Sequence, residues 1–308
     1  MLEPSWVGMR VTVRRAVGRD AGGRPQFSDI VGDLVELDSS TAVIERRGSR
    51  VEVPLALIAA ARPVPPSTAD ELAVEEVAAQ NLNPAETYSL GGWLLRADSG
   101  FTRRANSVLP LRASGMSLPE TLGRAHGWYA RRGLPLLVQV PVESRRLLDA
   151  ELGDRGWPAE ARTHLLTGRL DMLRAAPSVA PVVLAEQPDE AWLRMYRDGN
   201  GRPEAARALI TRHFHAIYAS VRIDGSVVAV GRGAVNEGWL GIMAVEVAPE
   251  HRRQGLAAAV MAELWRWGGA AGAARSYLQV TTDNDPAIRL YEKLGYRVHH
   301  DYHYRREP

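Results

Sequence analysis

The sequence predicts an α/β (α+β) protein that carries a small all-β domain at its amino end, and three observations lead there. Short runs of alternating apolar and polar residues fill the first 57 positions. Strand-like and helix-like segments alternate after Pro66. A long apolar run, Trp239–Val247, leads directly into an alanine-rich helical stretch. At 308 residues the chain exceeds one typical domain. The expected divisions are a barrel at 1–62, a linker at 63–68, and two α/β regions at 69–175 and 176–308.

Residues 9–17, 30–38, 41–47 and 50–57 alternate with period two and are separated by turns such as Asp38-Ser39-Ser40 and Arg47-Gly48. That spacing predicts a small antiparallel barrel, similar to the Src-homology-3-like and Tudor-like barrels, a type that some proteins use to hold a protein partner. Arg62-Pro63-Val64-Pro65-Pro66 reads as a stiff linker, after which Ser67 or Thr68 is placed to cap a helix carrying Leu72, Val74 and Val77. Strands are then expected at 93–96, 107–110 and 135–140, with helices at 117–132 and 142–153.

The carboxyl third carries the most chemistry. Pro249 ends the apolar strand, since proline cannot donate to a sheet ladder. Leu256, Val260, Leu264 and Trp267 then repeat on one helical face. Between them lies Arg252-Arg253-Gln254-Gly255-Leu256-Ala257. A glycine turn that opens a helix leaves several N–H groups pointing outward, a setting suited to phosphate, and two arginines add charge-assisted hydrogen bonds. Neither the dinucleotide G-x-G-x-x-G nor the nucleotide G-x-x-x-x-G-K-[ST] pattern is met in this turn.

The order of strand, Pro249, Arg252-x-x-Gly255-x-Ala257, helix, strand, Asn284, and then Leu290-Tyr291-Glu292-Lys293-Leu294-Gly295-Tyr296 resembles the GNAT superfamily of acyl-CoA-dependent N-acyltransferases. The resemblance is tight over 215–306. It implies a mixed, mostly antiparallel sheet and acetyl-CoA as cosubstrate, with the pyrophosphate on Arg252, Arg253, Gln254, Gly255, Leu256 and Ala257. It further implies that Val245 and Val247 splay from the neighbouring strand so that main-chain groups meet the pantetheine arm, with Asn284 at its side. Tyr291 is the implied proton donor to the leaving thiolate. Region 69–175 resembles a degenerate half of the same kind, because Leu152-Gly153-Asp154-Arg155-Gly156-Trp157 echoes the later Leu-Gly-Tyr ending while its 111–117 turn lacks the cofactor spacing.

An alkyl amine of pKa near 10.4 is neutral in only about one molecule in 2,500 at pH 7, so a base or a water relay is useful. The position where the family often carries an acid is Gly241. Glu246 on the same strand and Glu237 just before it are the alternatives, each also readable as a solvated strand-end carboxylate.

Composition narrows the rest. The 38 basic and 36 acidic residues nearly cancel, so no global field favours nucleic acid or membrane. With no cysteine there is no disulfide, thiolate metal site or cysteinyl acyl-enzyme. His213, His215, His299, His300 and His303 lack the companions of a metal site, and none is expected. Arg103, Arg104 and Asn106 suit either an anionic acceptor or a solvated hairpin, and Arg46, Arg47 and Arg50 read as charged hairpin tips. No run approaches the roughly 20 apolar residues that span a bilayer, and a cytoplasmic protein is expected. The expected activity is direct acetyl transfer to a primary amine, in a small molecule or a protein. The alternative is a non-catalytic acyl-CoA sensor or protein-interaction module.

Overall fold

A computed structural model describes residues 2–46, 48–175, 179–196, 202–212 and 215–308. Met1–Pro66 and Ser67–Pro308 are two compact units. In the first, β1 (Arg10–Arg19), β2 (Pro25–Leu37), β3 (Thr41–Arg46), β4 (Ser49–Pro54) and β5 (Ile58–Pro63) form an antiparallel sheet of order β4-β3-β2-β1-β5. Val11, Val13, Ile30, Leu34, Ala42, Ile44 and Val53 supply its core, as the period-two pattern requires. Strand β5 was not expected. It is alanine-rich, largely uncovered and ends in Pro63, which an edge strand with one neighbour tolerates.

The second unit opens with α1 (Thr68–Leu82), whose cap is Ser67. The Ser67 hydroxyl accepts from Asp70 N at 3.2 Å while the Asp70 carboxylate accepts from Ser67 N at 3.0 Å, a complete capping box. There follow β6 (Glu86–Leu90), β7 (Trp93–Ala97), β8 (Val108–Pro110), α2 (Leu118–Ala130), β9 (Leu137–Pro141), α3 (Arg146–Asp154) and β10 (Ala159–Arg169). The remainder is β11 (Val182–Ala185), α4 (Glu190–Met195), α5 (Pro203–Thr211), β12 (Ala216–Ile223), β13 (Ser226–Asn236), β14 (Trp239–Val247), α6 (Leu256–Ala270), β15 (Arg275–Thr281), α7 (Asp285–Lys293) and β16 (Arg297–Arg306).

The two α/β regions repeat one plan, and they exchange their last strands. In each, a parallel strand pair (β8 with β9, β14 with β15) is followed by a helix and a final strand. All eleven strands join one sheet of order β11-β12-β13-β14-β15-β10-β16-β9-β8-β7-β6. Strand β10, from the first region, lies beside β15 of the second, and β16 lies between β10 and β9. Each half is therefore completed by the other.

One face of the sheet is covered by α6, with Leu240, Ile242, Val260, Met261, Leu264, Leu278 and Tyr296 in its core. Gly231 and Gly233 let α6 lie close on β13, because a Cβ there would sit 2.5 Å from Val260 or 3.3 Å from Leu264. Tyr296 fixes this core: its hydroxyl accepts from Trp265 Nε1 at 3.0 Å and lies 2.7 Å from Ser276 Oγ, which donates to the Leu240 carbonyl. The opposite face is crossed by α1. There a buried polar chain runs from His300 Nε2 to Glu75 (3.0 Å), from Gln139 Nε2 to Glu75 (2.8 Å) and from Arg96 to Gln139 (2.8 Å) and the Ser107 hydroxyl. Every link is hydrogen-bonded, so the chain joins the two halves without leaving a bare charge. The buried Asp98 carboxylate, paired with Arg212 and accepting from Ala85 N at 2.9 Å, is a second such tie.

Among the described residues no helix is long and apolar enough to cross a membrane. Burial, reinforced by the charge of His300, pushes the His299 imidazole down to about 4. The unfolded ring titrates near 6.5, so it binds protons that the folded ring refuses between those values. Stability from this group is complete above about pH 6.5 and is lost as pH falls toward 4. The urea midpoint is expected to drop over that window in the native protein and to drop less in His299→Asn; parallel profiles would contradict the assignment.

Candidate acyl-CoA site

Strands β14 and β15 run parallel and in register from Trp239↔Arg275 to Ile242↔Leu278, and there their pairing stops. Both continue, β14 to Val247 and β15 to Thr281. Five residues of β14 thus lie in mid-sheet with no ladder partner on the β15 side, a split roughly 16 Å long at 3.3 Å per residue. The cause is local. β14 bulges against β13 between the Arg232↔Met243 and Val230↔Glu246 pairs, and Ala244 at the bulge takes φ 55°. A bulge turns the strand away from its neighbour and frees N–H and C=O groups that a ligand can pair. Val245 and Val247 pack against the α6 core.

The sequence loop stands at the open end of that split. Pro249–His251 make one 3-10 turn, Arg253 takes φ 61° and Gly255 takes φ 83°. Left-handed residues on either side of Gln254 curl the backbone so that its N–H groups converge in an anion-binding concavity. Helix α6 has no side-chain cap, and the N–H groups from Arg253 to Ala258 have no acceptor among the described residues. Gly255 is favoured by its φ, and a Cβ there would also sit tightly, 3.3 Å from Val179. Arg252, Arg253 and Gln254 are exposed, with Arg252 Nε donating to the Val247 carbonyl at 3.3 Å and Gln254 Nε2 to the Glu250 carbonyl at 3.4 Å. Leu256 is buried, and Ala257 is partly covered in the first turn.

The equivalent place in the first half is filled by protein. Arg145 Nε donates to the Pro110 carbonyl at 2.6 Å, and its Nη2 reaches the Leu111 carbonyl, so the end of β8 is already paired. Ser117 caps α2, the Ser114 hydroxyl takes Met116 N, and the 111–117 loop lies on Gly91 and Gly92. At α2 some of the corresponding donors, Met116 N and Glu120 N, are taken by the Ser114 and Ser117 hydroxyls.

The remaining sequence candidates separate. Tyr291, on α7, packs against the α6 core and meets Tyr296 edge-on with ring centroids 6.2 Å apart; burial pushes its hydroxyl up to about 12. Asn284 caps α7 by accepting from Ala287 N at 3.3 Å. Glu246, opposite Val230, lies on the face away from α6. Glu237 is exposed in the β13–β14 turn, beyond the far end of β14, whose span Trp239–Val247 is roughly 27 Å at 3.4 Å per residue. The structure does not bring it to the split. His300 and His303 pair with Glu75 and Asp149, His299 with His300, and His213 and Arg47 lie outside the described residues. Arg103 pairs with Glu160, while Arg104 donates to the Tyr302 hydroxyl.

Gly241 has a steric reason. A Cβ there would stand 2.3 Å from the Tyr277 hydroxyl and 3.0 Å from Asn81 Nδ2, so the tyrosine of the neighbouring strand fills the space where the family often carries its acid. Burial pushes that hydroxyl up to about 12. The sequence reading missed Arg232. It is 1% exposed, on the same face as Met243 and Glu246, and Nη1 donates to the Met243 sulfur at 3.1 Å. The signal was available: Arg232 is the single charge in the run Ser226–Asn236 and has glycine on both sides.

The family model described as "Probable histone acetyltransferase Rv0428c C-terminal" matches residues 68–305. The chain is 33% identical to the probable histone acetyltransferase Rv0428c of Mycobacterium tuberculosis, over 97% of this chain and 96% of that one. It is 29% identical to the uncharacterized N-acetyltransferase YobR of Bacillus subtilis, over 75% of this chain and 96% of the relative. Its fold is similar to that of a GCN5-related N-acetyltransferase from Kribbella flavida, with a TM-score of 0.60 at 20% identity over 77% of this chain and 95% of that one. A split parallel pair, an uncapped helix with a left-handed glycine, and these matches lead to one conclusion: the chain belongs to the Rv0428c-like acetyltransferase family of the GNAT superfamily.

Proposed function

We infer that the protein transfers an acetyl group from acetyl-CoA directly to the nitrogen of a primary amine. The observation that carries this reading is the β14–β15 split with the open N–H cluster at its end. A pantetheine arm can complete the ladder that β14 leaves unpaired, while the pyrophosphate takes the 253–258 N–H groups and the Arg252 and Arg253 side chains. The relatives, a probable histone acetyltransferase and an uncharacterized N-acetyltransferase, support an amine as acceptor.

The chemistry follows from those positions. With the thioester at the bulge, a main-chain N–H of the 244–246 segment polarises its carbonyl, an effect typically of 10²–10³ in rate. The amine attacks from the face away from α6, the C–N bond forms, and the C–S bond breaks. Glu246, on that face, takes the amine proton directly or through water. Tyr291 serves the sulfur. A phenol held near 12 is a weaker acid than a thiol of about 8.5, so it keeps its proton and stabilises the departing thiolate by hydrogen bonding. No acyl-enzyme is needed, and the chain has no cysteine to form a thioester.

Two outcomes test this. Replacing Arg252 by Ala together with Gly255 by Asp puts a charged Cβ residue at φ 83° and a carboxylate where an anion should sit. CoA affinity by calorimetry is expected to fall by roughly 100-fold or more; an unchanged affinity would overturn the loop assignment. In Tyr291→Phe, turnover in a thiol-release assay is expected to fall roughly 10–100-fold with CoA affinity nearly unchanged, and undiminished turnover would reduce Tyr291 to a packing residue.

A further inference from the structure

We propose that the acceptor is an amine that also carries a carboxylate, and that Arg232 holds that carboxylate on the face of the split opposite α6. The inference rests on the acetyltransferase reading above and narrows its substrate.

Arg232 is among the most completely buried large side chains, yet its Nε and Nη2 have no hydrogen-bond partner among the described residues. Its cross-strand neighbour Tyr218 gives its hydroxyl to the Ile210 carbonyl, and the Met243 sulfur that Nη1 meets is a weak acceptor. The unfilled edge is the informative one. Nε and Nη2 are the parallel donors with which Arg132, Arg162 and Arg306 grip Glu86, Asp301 and Glu160 elsewhere in this protein. The same fork at Arg232 is left open.

Neutral polar groups stand on the same face of the sheet. Asn81 of α1 is 2% exposed, and among the described residues its amide finds no partner besides the nearby Tyr277 hydroxyl. It lies by the Tyr277 hydroxyl, at the space Gly241 leaves. Gln279, two residues beyond Tyr277 and so on the same face, has a buried Nε2 without a partner among the described residues and stands just past the last β14–β15 pair. An isolated buried cation is costly, and a planar monoanion is the ligand that a single guanidinium fork, with amides on the same face, fits. One fork supplies one positive charge, which matches a carboxylate better than a phosphate dianion. Glu246 lies one cross-strand pair along the same face, within the span of a short amino acid. The arrangement holds the acid end and leaves the amine near the thioester.

The test uses the full chain and matched amines: 4-aminobutyrate against butylamine, glycine and alanine against their amides, phosphoethanolamine, and a lysine peptide amide lacking carboxylates. Thiol release with acetyl-CoA is expected to favour the carboxylated member of a pair at least 10-fold in kcat/KM. In Arg232→Met the KM for that amine is expected to rise roughly 30-fold or more, with acetyl-CoA affinity unchanged. The Tm of Arg232→Met without acceptor is expected to rise by roughly 2–4 °C, since an unpaired buried charge has been replaced by an apolar chain of similar length. Sodium propionate, against sodium chloride at equal ionic strength, should stabilise the native protein and not the variant. A lower Tm in the variant would make Arg232 a structural residue and overturn the proposal. Equal rates within every pair, or preference for phosphoethanolamine or the peptide amide, would overturn it while leaving acetyl transfer intact. Failure of the native protein to bind acetyl-CoA would instead remove both readings.

Discussion

A strand in the middle of a sheet can leave its main-chain groups unpaired only where something else takes them, and β14 does so from Met243 to its end. The features around the split serve that condition. The bulge at Ala244 turns the strand, Gly231 and Gly233 draw α6 close behind it, and the left-handed pair Arg253 and Gly255 turns the chain back so that open N–H groups lie at the mouth. The opening is held by rigid neighbours. Strand β13 keeps β14 in place on one side, and β10 keeps β15 in place on the other.

That second support comes from the first half of the unit. Because β10 and β16 are exchanged, neither half can open without disturbing the sheet of the other, and the buried His300–Glu75–Gln139–Arg96 chain ties the same elements beneath α1. The two halves began from one plan and differ in what fills the divergence. Arg145 and the Ser117 cap close the first; the second has neither. The first half then serves the second through β10, which braces β15, and through α1, which sets Asn81 over Gly241.

Much of this was legible in the sequence, and the gaps have physical causes. The loop, β14 and α6 are written in local signals: a strand-ending proline, a glycine at the helix start, and apolar residues every third or fourth position. Ser67 was readable as a cap for the same reason. Partnership between strands is not local, so the exchange of β10 and β16 leaves no trace in periodicity, and β5 was hidden by its alanines. Glu237 and Glu246 look close in the sequence because only eight residues lie between them. An extended strand turns that interval into nearly its whole length. Gly241 read as a missing acid until Tyr277 was seen to occupy the space. Arg232 was a lone charge between two glycines, a signal whose meaning depends on what the opposite strand fails to supply.

The central claim is that only the second divergence is an acyl-CoA site. Amide hydrogen exchange read by mass spectrometry, with and without CoA, tests it most directly, because the claim concerns main-chain N–H groups. CoA is expected to slow exchange across residues 243–258 and to leave residues 108–120 unchanged. Protection at 108–120, or none at 243–258, would contradict the account.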